Sequence, residues 1–235
     1  MKDKVSSFYK DAAAAINAGL RKYMLSVFTH MSIGLAFTAL VAFFVSSSPA
    51  MMRMLFTTGL QWLVFLAPLG LVIFLSARIA NLSAEAAIGW FYAYSASVGA
   101  SLAPIFIVYT GESIVTTFFI TSSMFLSMVI YGYTTGKDLT GFGSFLIMGL
   151  FGIIIASIVN IFVRSSATSL VISVIGVLVF TGLTAFDAQR IKSMYFESDS
   201  QEVTEKKAIF GALSLYMDFI NLFLYILRLL GARRD

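Results

Sequence analysis

The chain has 235 residues, of which 59% are hydrophobic and only 12% are charged, well below the roughly 25% charged residues of soluble domains, so we predict an integral membrane protein. The absence of cysteine excludes disulfides, thiol catalysis and Cys-based metal sites, and the single histidine, His30, cannot build a metal site alone. The net charge is +4, and the basic residues lie at the ends of apolar runs and in the tails, where they set membrane topology. We therefore expect no nucleic-acid binding.

Seven apolar runs approach the roughly 20 residues that are needed to cross a hydrocarbon core. They cover residues 23–45, 60–80, 86–109, 112–134, 142–163, 168–190 and 208–230. The sequence therefore predicts an all-α membrane protein with seven transmembrane helices. We divide it into a cytoplasmic leader of residues 1–22, one seven-helix domain of residues 23–230 and a short basic tail of residues 231–235.

The connections between the runs are mostly short, which predicts antiparallel hairpins in one bundle. The longest connection on the outer side is Ser46 to Gly59, and a charged segment runs from Lys192 to Lys207. The leader contains Asp3 and Asp11 and is too long and too acidic for the n-region of a signal peptide. We therefore expect the first run to be a membrane span.

Lysine and arginine counts predict the orientation. With the N-terminus inside, the inner segments hold eleven of these residues and the outer segments hold five, so the N-terminus is expected in the cytoplasm. The tail is the exception, because seven spans place Arg228, Arg233 and Arg234 outside. Six spans with a re-entrant last segment would bring the tail back inside, but we favour seven.

The last apolar run carries a single carboxylate, Asp218, deep among apolar residues. A lone carboxylate is costly in a bilayer, so it must face protein or water. Ser214, Asp218, Asn221 and Tyr225 follow at spacings of four, three and four and share one helix face. This single polar face predicts that the last helix lines internal space and is central, wrapped by the other six. The alternative is an Asp218 that only hydrogen-bonds Asn221 or a backbone group.

A second carboxylate, Asp187, lies near the inner end of the sixth run, three residues after Thr184. It either meets the seventh helix or is a solvated residue at a helix end. At about 1.5 Å per residue, Asp218 lies roughly 16 Å beyond Lys207, whereas Asp187 lies only about 5 Å before Arg190. The two depths match if the sixth helix continues towards Tyr195, or if Gly211 breaks the seventh.

Two carboxylates that meet in a low dielectric cannot both ionise, so the pair would share a proton near neutral pH. Loss of this proton leaves two like charges, which favour separation, a nearby cation or entry of water. Deprotonation is thus expected to open a pore and to create an oxygen site suited to Ca²⁺. Thr184, Ser214, Asn221 and Tyr225 are the pore-lining candidates. Arg78 either latches one carboxylate or only anchors its span at the inner surface.

The sequence contains no motif of a known enzyme class, so we expect no catalytic activity. An intramembrane aspartyl protease also needs two membrane carboxylates, but the residues around Asp187 and Asp218 lack the glycine-rich context of such proteases. Gly132 and Gly136 are spaced four apart and are expected to allow close helix packing.

Two segments are similar to those of the Bax inhibitor-1 family in its compact bacterial form. They are Phe180–Ile191, read FTGLTAFDAQRI, and Leu213–Phe223, read LSLYMDFINLF. The resemblance implies a seven-helix fold whose last helix is wrapped by the first six. It also implies a pH-sensitive calcium leak in which Asp187 and Asp218 form a hydrogen-bonded pair, and Arg78 matches the family's latching arginine by position alone.

We therefore expect a proton-gated cation leak in a bacterial inner membrane, with Ca²⁺ as the permeant and transiently bound ion and no cofactor. The alternative is a membrane-embedded regulator that binds another membrane protein, such as a membrane protease, and modulates stress or cell death. The bilayer and calcium ions are the other expected partners. The buried carboxylates favour the leak, because a pure interaction protein has little reason to hold them in the centre of the bundle.

Overall fold

The computed structural model describes the backbone of residues 2–234 and the side chains of residues 17–234. Within the described backbone all regular elements are helical apart from one isolated bridge, between Tyr109 and Arg233. The helices are α1 (Lys2–Ser46), α2 (Pro49–Phe56), α3 (Leu60–Arg78), α4 (Ala84–Leu102), α5 (Ile105–Val108), α6 (Gly111–Thr134), α7 (Thr140–Val163), α8 (Ser166–Ser193) and α9 (Gln201–Leu230), with a 3₁₀ turn at Ile79–Asn81.

Seven of these segments are long and apolar enough to cross a membrane, which confirms the predicted all-α class and the number of spans. They are Asn17–Ser46, Leu60–Asn81, Ala84–Val108, Gly111–Thr134, Thr140–Val163, Ser166–Ser193 and Gln201–Leu230. Helix α9 is continuous, so the alternative of a re-entrant last segment is not adopted.

Both ends of the chain are described in part. Helix α1 begins at Lys2 and continues through the predicted leader boundary without a break. The side chains of residues 1–16, and residue 235 of the predicted tail, lie outside the described residues. The described part of the tail pairs with the start of α6, where the Thr110 amide donates to the Ala232 carbonyl and the Ala232 amide donates to Ser113 Oγ.

The connection between the first two spans, which was expected to be a loop, contains the short helix α2. Ser48 caps this helix by accepting a hydrogen bond from the Met51 amide, and Pro49 occupies the first turn. Both residues are favoured at helix starts, because a cap satisfies a free amide and proline has no amide to satisfy. The residues Ser48 and Pro49 are therefore a local signal for the start of α2 in the sequence.

Helix α9 is the core of the bundle. In its most apolar stretch 67% of the residues are buried, compared with 6% in the span that contains α3 and 11% in α7. It packs against α8, α1, α6 and α4, whereas α3 lies mainly on α4 and α7 mainly on α8. The prediction that all six other spans wrap the last one is therefore not confirmed. Four spans surround α9, the second span reaches it mainly through its terminal 3₁₀ turn, and α7 lies in an outer layer.

Glycines mark the closest helix crossings. A β-carbon added at Gly132 of α6 would overlap the carbonyl oxygen of Ala185 in α8, and one added at Gly176 of α8 would lie 2.7 Å from the Tyr225 ring of α9. Gly136, in contrast, has open space around it. Of the two glycines singled out in the sequence, only Gly132 therefore serves helix packing.

One end of the bundle, which we call the basic face, carries Arg21, Lys137, Lys192 and Lys207, where α6 and α8 end and α7 and α9 begin. Several cations hold backbone carbonyls there: Lys192 donates to the Tyr133 carbonyl, Lys206 to the Ala80 carbonyl and Lys207 to the Met194 carbonyl. Lys207 also forms a salt bridge with Asp199. Lysine near a helix C-terminus satisfies free carbonyls, so these contacts fasten the loops to the bundle.

Candidate functional site: a buried carboxylate pair

The crossing of α8 and α9 determines the relative depth of the two carboxylates. Gly176 packs on Tyr225 and Gly211 packs on Ile191, so the helices run antiparallel. Interpolation between these contacts places Asp218 level with Thr184, and Asp187 about one turn, roughly 5 Å, nearer the basic face. Helix α8 extends to Ser193 and α9 is unbroken at Gly211. The depths of the two carboxylates are therefore matched by the continuation of the sixth helix and not by a break in the seventh.

Asp218 is enclosed by protein. It is the one acidic or basic residue that is buried within the described part of the chain, with 5% of the residue exposed. Its Oδ2 atom is fully buried and has no hydrogen-bond partner among the described residues. A buried, unpaired polar atom costs free energy, and an unpaired charge costs far more. Position 218 is therefore held at an energetic cost that packing alone does not explain.

Asp187 completes the pair. It is half-buried on α8, and it lies within electrostatic range of Asp218. The positive charge of Arg190, three residues further along α8, also acts on it. The Arg190 guanidinium lies 5.8 Å from the centre of the Phe210 ring of α9. Asp187 thus has the carboxylate of Asp218 on the side towards the middle of the bundle and the Arg190 side chain on the side towards the basic face.

The four predicted pore-lining residues occupy the same crossing but differ in surroundings. Thr184 and Ser214 are buried, and Thr184 Oγ1 donates to the Phe180 carbonyl of its own helix. Asn221 is half-buried and donates to the Met217 carbonyl at 2.8 Å, also within its helix. The Tyr225 ring stacks on Phe180 with ring centres 5.8 Å apart. The contacts of Tyr225 with Phe180 and Gly176 thus join α8 and α9, whereas the hydrogen bonds of Thr184 and Asn221 stay within their own helices.

Arg78, the candidate latch, lies elsewhere. It is the last residue of α3 and its side chain is exposed. Helix α3 belongs to the outer layer and packs mainly on α4. Among the described residues the structure places Arg190, and not Arg78, beside Asp187. The spacing of Arg190 from Asp187, about one helical turn, is the signal for this neighbour in the sequence.

The pair alone does not make a metal site. No group of three or more His, Cys, Asp or Glu side chains with suitable geometry occurs among residues 17–234. Two carboxylates supply at most four oxygens, fewer than the six to eight that Ca²⁺ takes. A calcium ion at this position would need water or backbone carbonyls as further ligands.

Two polar clusters around α9 were not anticipated. The His30 ring of α1 contacts the Tyr92 hydroxyl of α4 at 2.8 Å and Glu205 of α9 at 3.3 Å. Deeper in the bundle, the Tyr216 hydroxyl of α9 lies 2.6 Å from Thr38 Oγ1 of α1. The partners are 62 to 178 residues apart in sequence, so no local spacing reveals them.

The fold and this site define a class: a multi-pass α-helical membrane protein with two carboxylates facing each other beside a central helix. A family model described as "Inhibitor of apoptosis-promoting Bax1" matches residues 20–235. The chain belongs to this family, the Bax inhibitor-1 family, as its two aspartate segments suggested.

Bacterial relatives match between 68% and 95% of the chain. The inner membrane protein YbhL of Escherichia coli K12 is 47% identical over 227 residues, which is 95% of this chain and 97% of the relative. An uncharacterized protein of Rickettsia prowazekii is 45% identical over 92% of each chain. An uncharacterized membrane protein of Streptococcus pyogenes is 38% identical over 68% of this chain and 70% of its own length.

Proposed function

We propose that the protein is a proton-gated cation leak, with Ca²⁺ as the permeant ion and the Asp187–Asp218 pair as the gate. The observation that carries the proposal is the buried, unpartnered Oδ2 of Asp218 beside a second carboxylate at the core of the bundle. Stability alone does not account for such a pair, because apolar residues would pack there without the cost of desolvation. A group that gains or loses a proton does account for it.

The gating step follows from the charges. With one shared proton the pair is a single negative charge, which the neighbouring Arg190 partly offsets. When the proton leaves, two negative charges face each other across the α8–α9 crossing in a low dielectric, where repulsion is strong. The helices then separate, or water and a cation enter between them. The leak is therefore closed at low pH and opens as the pH rises.

The proposal includes a location and an orientation. The relative from Escherichia coli is named an inner membrane protein, and we extend this location to the present chain. We place the N-terminus and the basic face in the cytoplasm, because cytoplasmic segments carry an excess of Lys and Arg. Cations that enter from outside would then meet Asp218 before Asp187. We assign no enzymatic activity to the pair.

The test is calcium flux into proteoliposomes between about pH 5 and pH 8. The native protein should show flux that rises with pH, and Asp187→Asn, Asp218→Asn and the double variant should each remove the pH dependence. Asp138→Asn is the matched control. Hydrogen bonds from Thr140 lower the pKa of the exposed Asp138, so this carboxylate stays ionised throughout the range and its removal should leave the profile unchanged. Absence of flux at every pH, or a native profile in all Asp187 and Asp218 variants, contradicts the leak.

A second candidate function rests on the description of the family, which names the inhibition of another protein. A membrane-embedded regulator of this kind would bind its partner, such as a membrane protease, through outer surfaces of the bundle. The two functions respond differently to the same variants. A regulator should keep its partner after Asp187→Asn and Asp218→Asn, whereas the leak should lose its response to pH.

A further inference from the structure

A large cavity lies away from the carboxylate pair, on the side of the bundle where α1 and α6 both pack on α9 but make few contacts with each other. The space between them is a groove with a volume of about 890 Å³ that opens sideways. Phe219 of α9, the residue next to Asp218, forms part of its floor. The groove therefore reaches the central helix at the depth of the gate, where Phe219 itself is only 4% exposed.

The walls of this groove change character along its length. Towards the middle of the bundle they are apolar and come from both helices, with Phe28, Met31, Leu35, Phe125 and Val129 among them. The mouth at the basic face is polar, with Arg21 on α1 and Tyr133 and Thr134 at the end of α6. The Lys192 ammonium lies 4.9 Å from the centre of the Tyr133 ring. Arg21 and two hydroxyls thus line the end of an apolar slot, and Lys192 lies behind them against the Tyr133 ring.

The dimensions favour a thin occupant. From Arg21 to Ala39 the groove follows α1 for about 27 Å. All the open space along that length, about 1790 Å³ with the mouth included, gives a mean cross-section on the order of 65 Å². A helix of 10 to 12 Å diameter needs about 80 to 110 Å². The slot is therefore too narrow to enclose a partner helix, and it suits a hydrocarbon chain.

The depth of the polar mouth also fits a lipid. Ser32, near the midpoint of the span Asn17–Ser46, lies about 16 Å from Arg21, close to half of the roughly 30 Å hydrocarbon core. A second apolar cavity of about 340 Å³ shares Leu35, Ala39, Phe118 and Phe219 and continues towards the opposite face. One leaflet of the bilayer thus matches the segment between the polar mouth and Ser32.

We propose that this groove is a phospholipid-binding site that holds an acyl chain between α1 and α6 and an anionic headgroup phosphate at Arg21. Arginine binds phosphate through paired hydrogen bonds, and the nearby Lys192 adds a second positive charge. Basic pockets between transmembrane helices on the cytoplasmic side are suited to anionic headgroups. The bound chain packs on Phe219 and closes the gap beside α9. This site is independent of the proposed ion leak.

Lipid retention is the first test. The full-length protein, purified in mild detergent after exchange into phosphatidylglycerol or phosphatidylethanolamine, is examined by native mass spectrometry. The native protein should retain phosphatidylglycerol preferentially. Arg21→Gln should lower that retention about fivefold, the loss expected for one cation near the membrane surface, while Lys137→Gln, an exposed cation on the same face, should not.

A second variant tests the apolar slot. Ala36→Phe places a ring in the groove and should lower retention of both lipids about tenfold. Val159→Phe enlarges a side chain on the outer surface of α7, where 52% of Val159 is exposed, and should behave as the native protein. Equal retention by Ala36→Phe, or no retained lipid in the native protein, overturns the proposal. A protein that replaces lipid in the groove overturns it as well.

A third test uses no bulky substitution, so misfolding of a variant cannot explain its result. The chain has no cysteine, so Ser122→Cys places a single fluorophore in the groove, and Ser127→Cys places one on the exposed surface of the same helix. Brominated phosphatidylglycerol, added at low mole fraction to phosphatidylcholine vesicles, should quench the first label strongly and the second only in proportion to its bulk fraction. Equal quenching at the two positions contradicts a specific site.

Discussion

At the scale of single residues, the two buried hydrogen-bonding sites of α9 differ in whether they are satisfied. Tyr216 is completely buried, and Thr38, its partner, is also within hydrogen-bond distance of the carbonyls of Gly34 and Ser95. Because the Thr38 proton goes to a carbonyl, the Tyr216 hydroxyl is the donor between the two. Asp218 lacks such a partner on Oδ2. The Tyr216–Thr38 hydrogen bond therefore stabilises the packing of α9, whereas the unpartnered oxygen of Asp218 does not.

Tyr216→Phe should therefore lower the free energy of unfolding by about 0.5 to 1.5 kcal/mol, the net value of one hydrogen bond. Thr38 keeps its carbonyl partner and the aromatic packing remains, so the loss stays small. Unfolding in detergent micelles by a denaturing detergent measures the change. Tyr131→Phe, on a residue that is 45% exposed, should leave the stability unchanged. A loss as large for Tyr131→Phe would show that the effect is not specific to the buried bond.

The carboxylate pair makes a separate prediction about stability and pH. In the proposal, the folded protein holds a proton on the pair that the unfolded chain, with its carboxylates in water, releases. The folded state then binds more protons, so stability falls as the pH rises, by at most about 1.4 kcal/mol per pH unit for one proton. Asp218→Asn should flatten this slope between about pH 5 and pH 8.

Asp138→Asn should keep the native slope. Its pKa is lowered by the hydrogen bonds from Thr140, so the stability linked to that carboxylate is present across the range and is lost only at lower pH. Denaturation at several pH values compares the two variants. A native protein whose stability does not change with pH would contradict the shared proton.

At the scale of helices, close packing of α6 on α8 depends on one glycine. A methyl group at Gly132 overlaps the Ala185 carbonyl, and backbone cannot move aside as a flexible side chain can. Gly132→Ala should cost about 1 to 3 kcal/mol of unfolding free energy, the usual range for overpacking. Gly136→Ala is the natural control, because nothing lies within 4 Å of the added carbon. Comparable losses for the two variants would refute a role for the crossing.

Most of the helices could be predicted from the sequence, because the length and hydropathy of an apolar run identify a membrane span. Which helices surround α9 was not readable. Hydropathy is high in α3, α7 and α9 alike, although only α9 is buried in protein, since lipid and protein interiors are equally apolar. The order of layers therefore depends on contacts between distant residues.

The candidate site could likewise be predicted only in part. The carboxylates were found because a charge in an apolar run is costly at any depth. The clusters around His30 and Tyr216 were not found, because they depend on helix rotation and on pairs far apart in sequence. A polar spacing gives a shared face, but it does not identify the helix that the face meets.

At the scale of the whole molecule, the proposed opening is a change in the α8–α9 contact while the rest of the bundle stays packed. Asp187 and Asp218 repel across that contact alone, whereas Tyr216 and the loop contacts of Lys207 hold α9 to the other elements. Ser214 is buried at the crossing on the basic-face side of Asp218, and Ser95 is buried between α4 and α1. The two serines therefore report on different contacts of the same bundle.

Because the chain has no cysteine, Ser214→Cys and Ser95→Cys each give a unique thiol for a small water-soluble thiol reagent. We expect modification of Ser214→Cys to be faster at about pH 8 than at about pH 5 by more than the change in thiolate fraction, which Ser95→Cys measures under the same conditions. Adding Asp218→Asn should abolish the excess at position 214, because a single carboxylate has nothing to repel. Equal acceleration at both positions would mean that the bundle loosens as a whole and that the pair is not a local gate. An excess that persists with Asp218→Asn would place the proton sensor elsewhere in the protein.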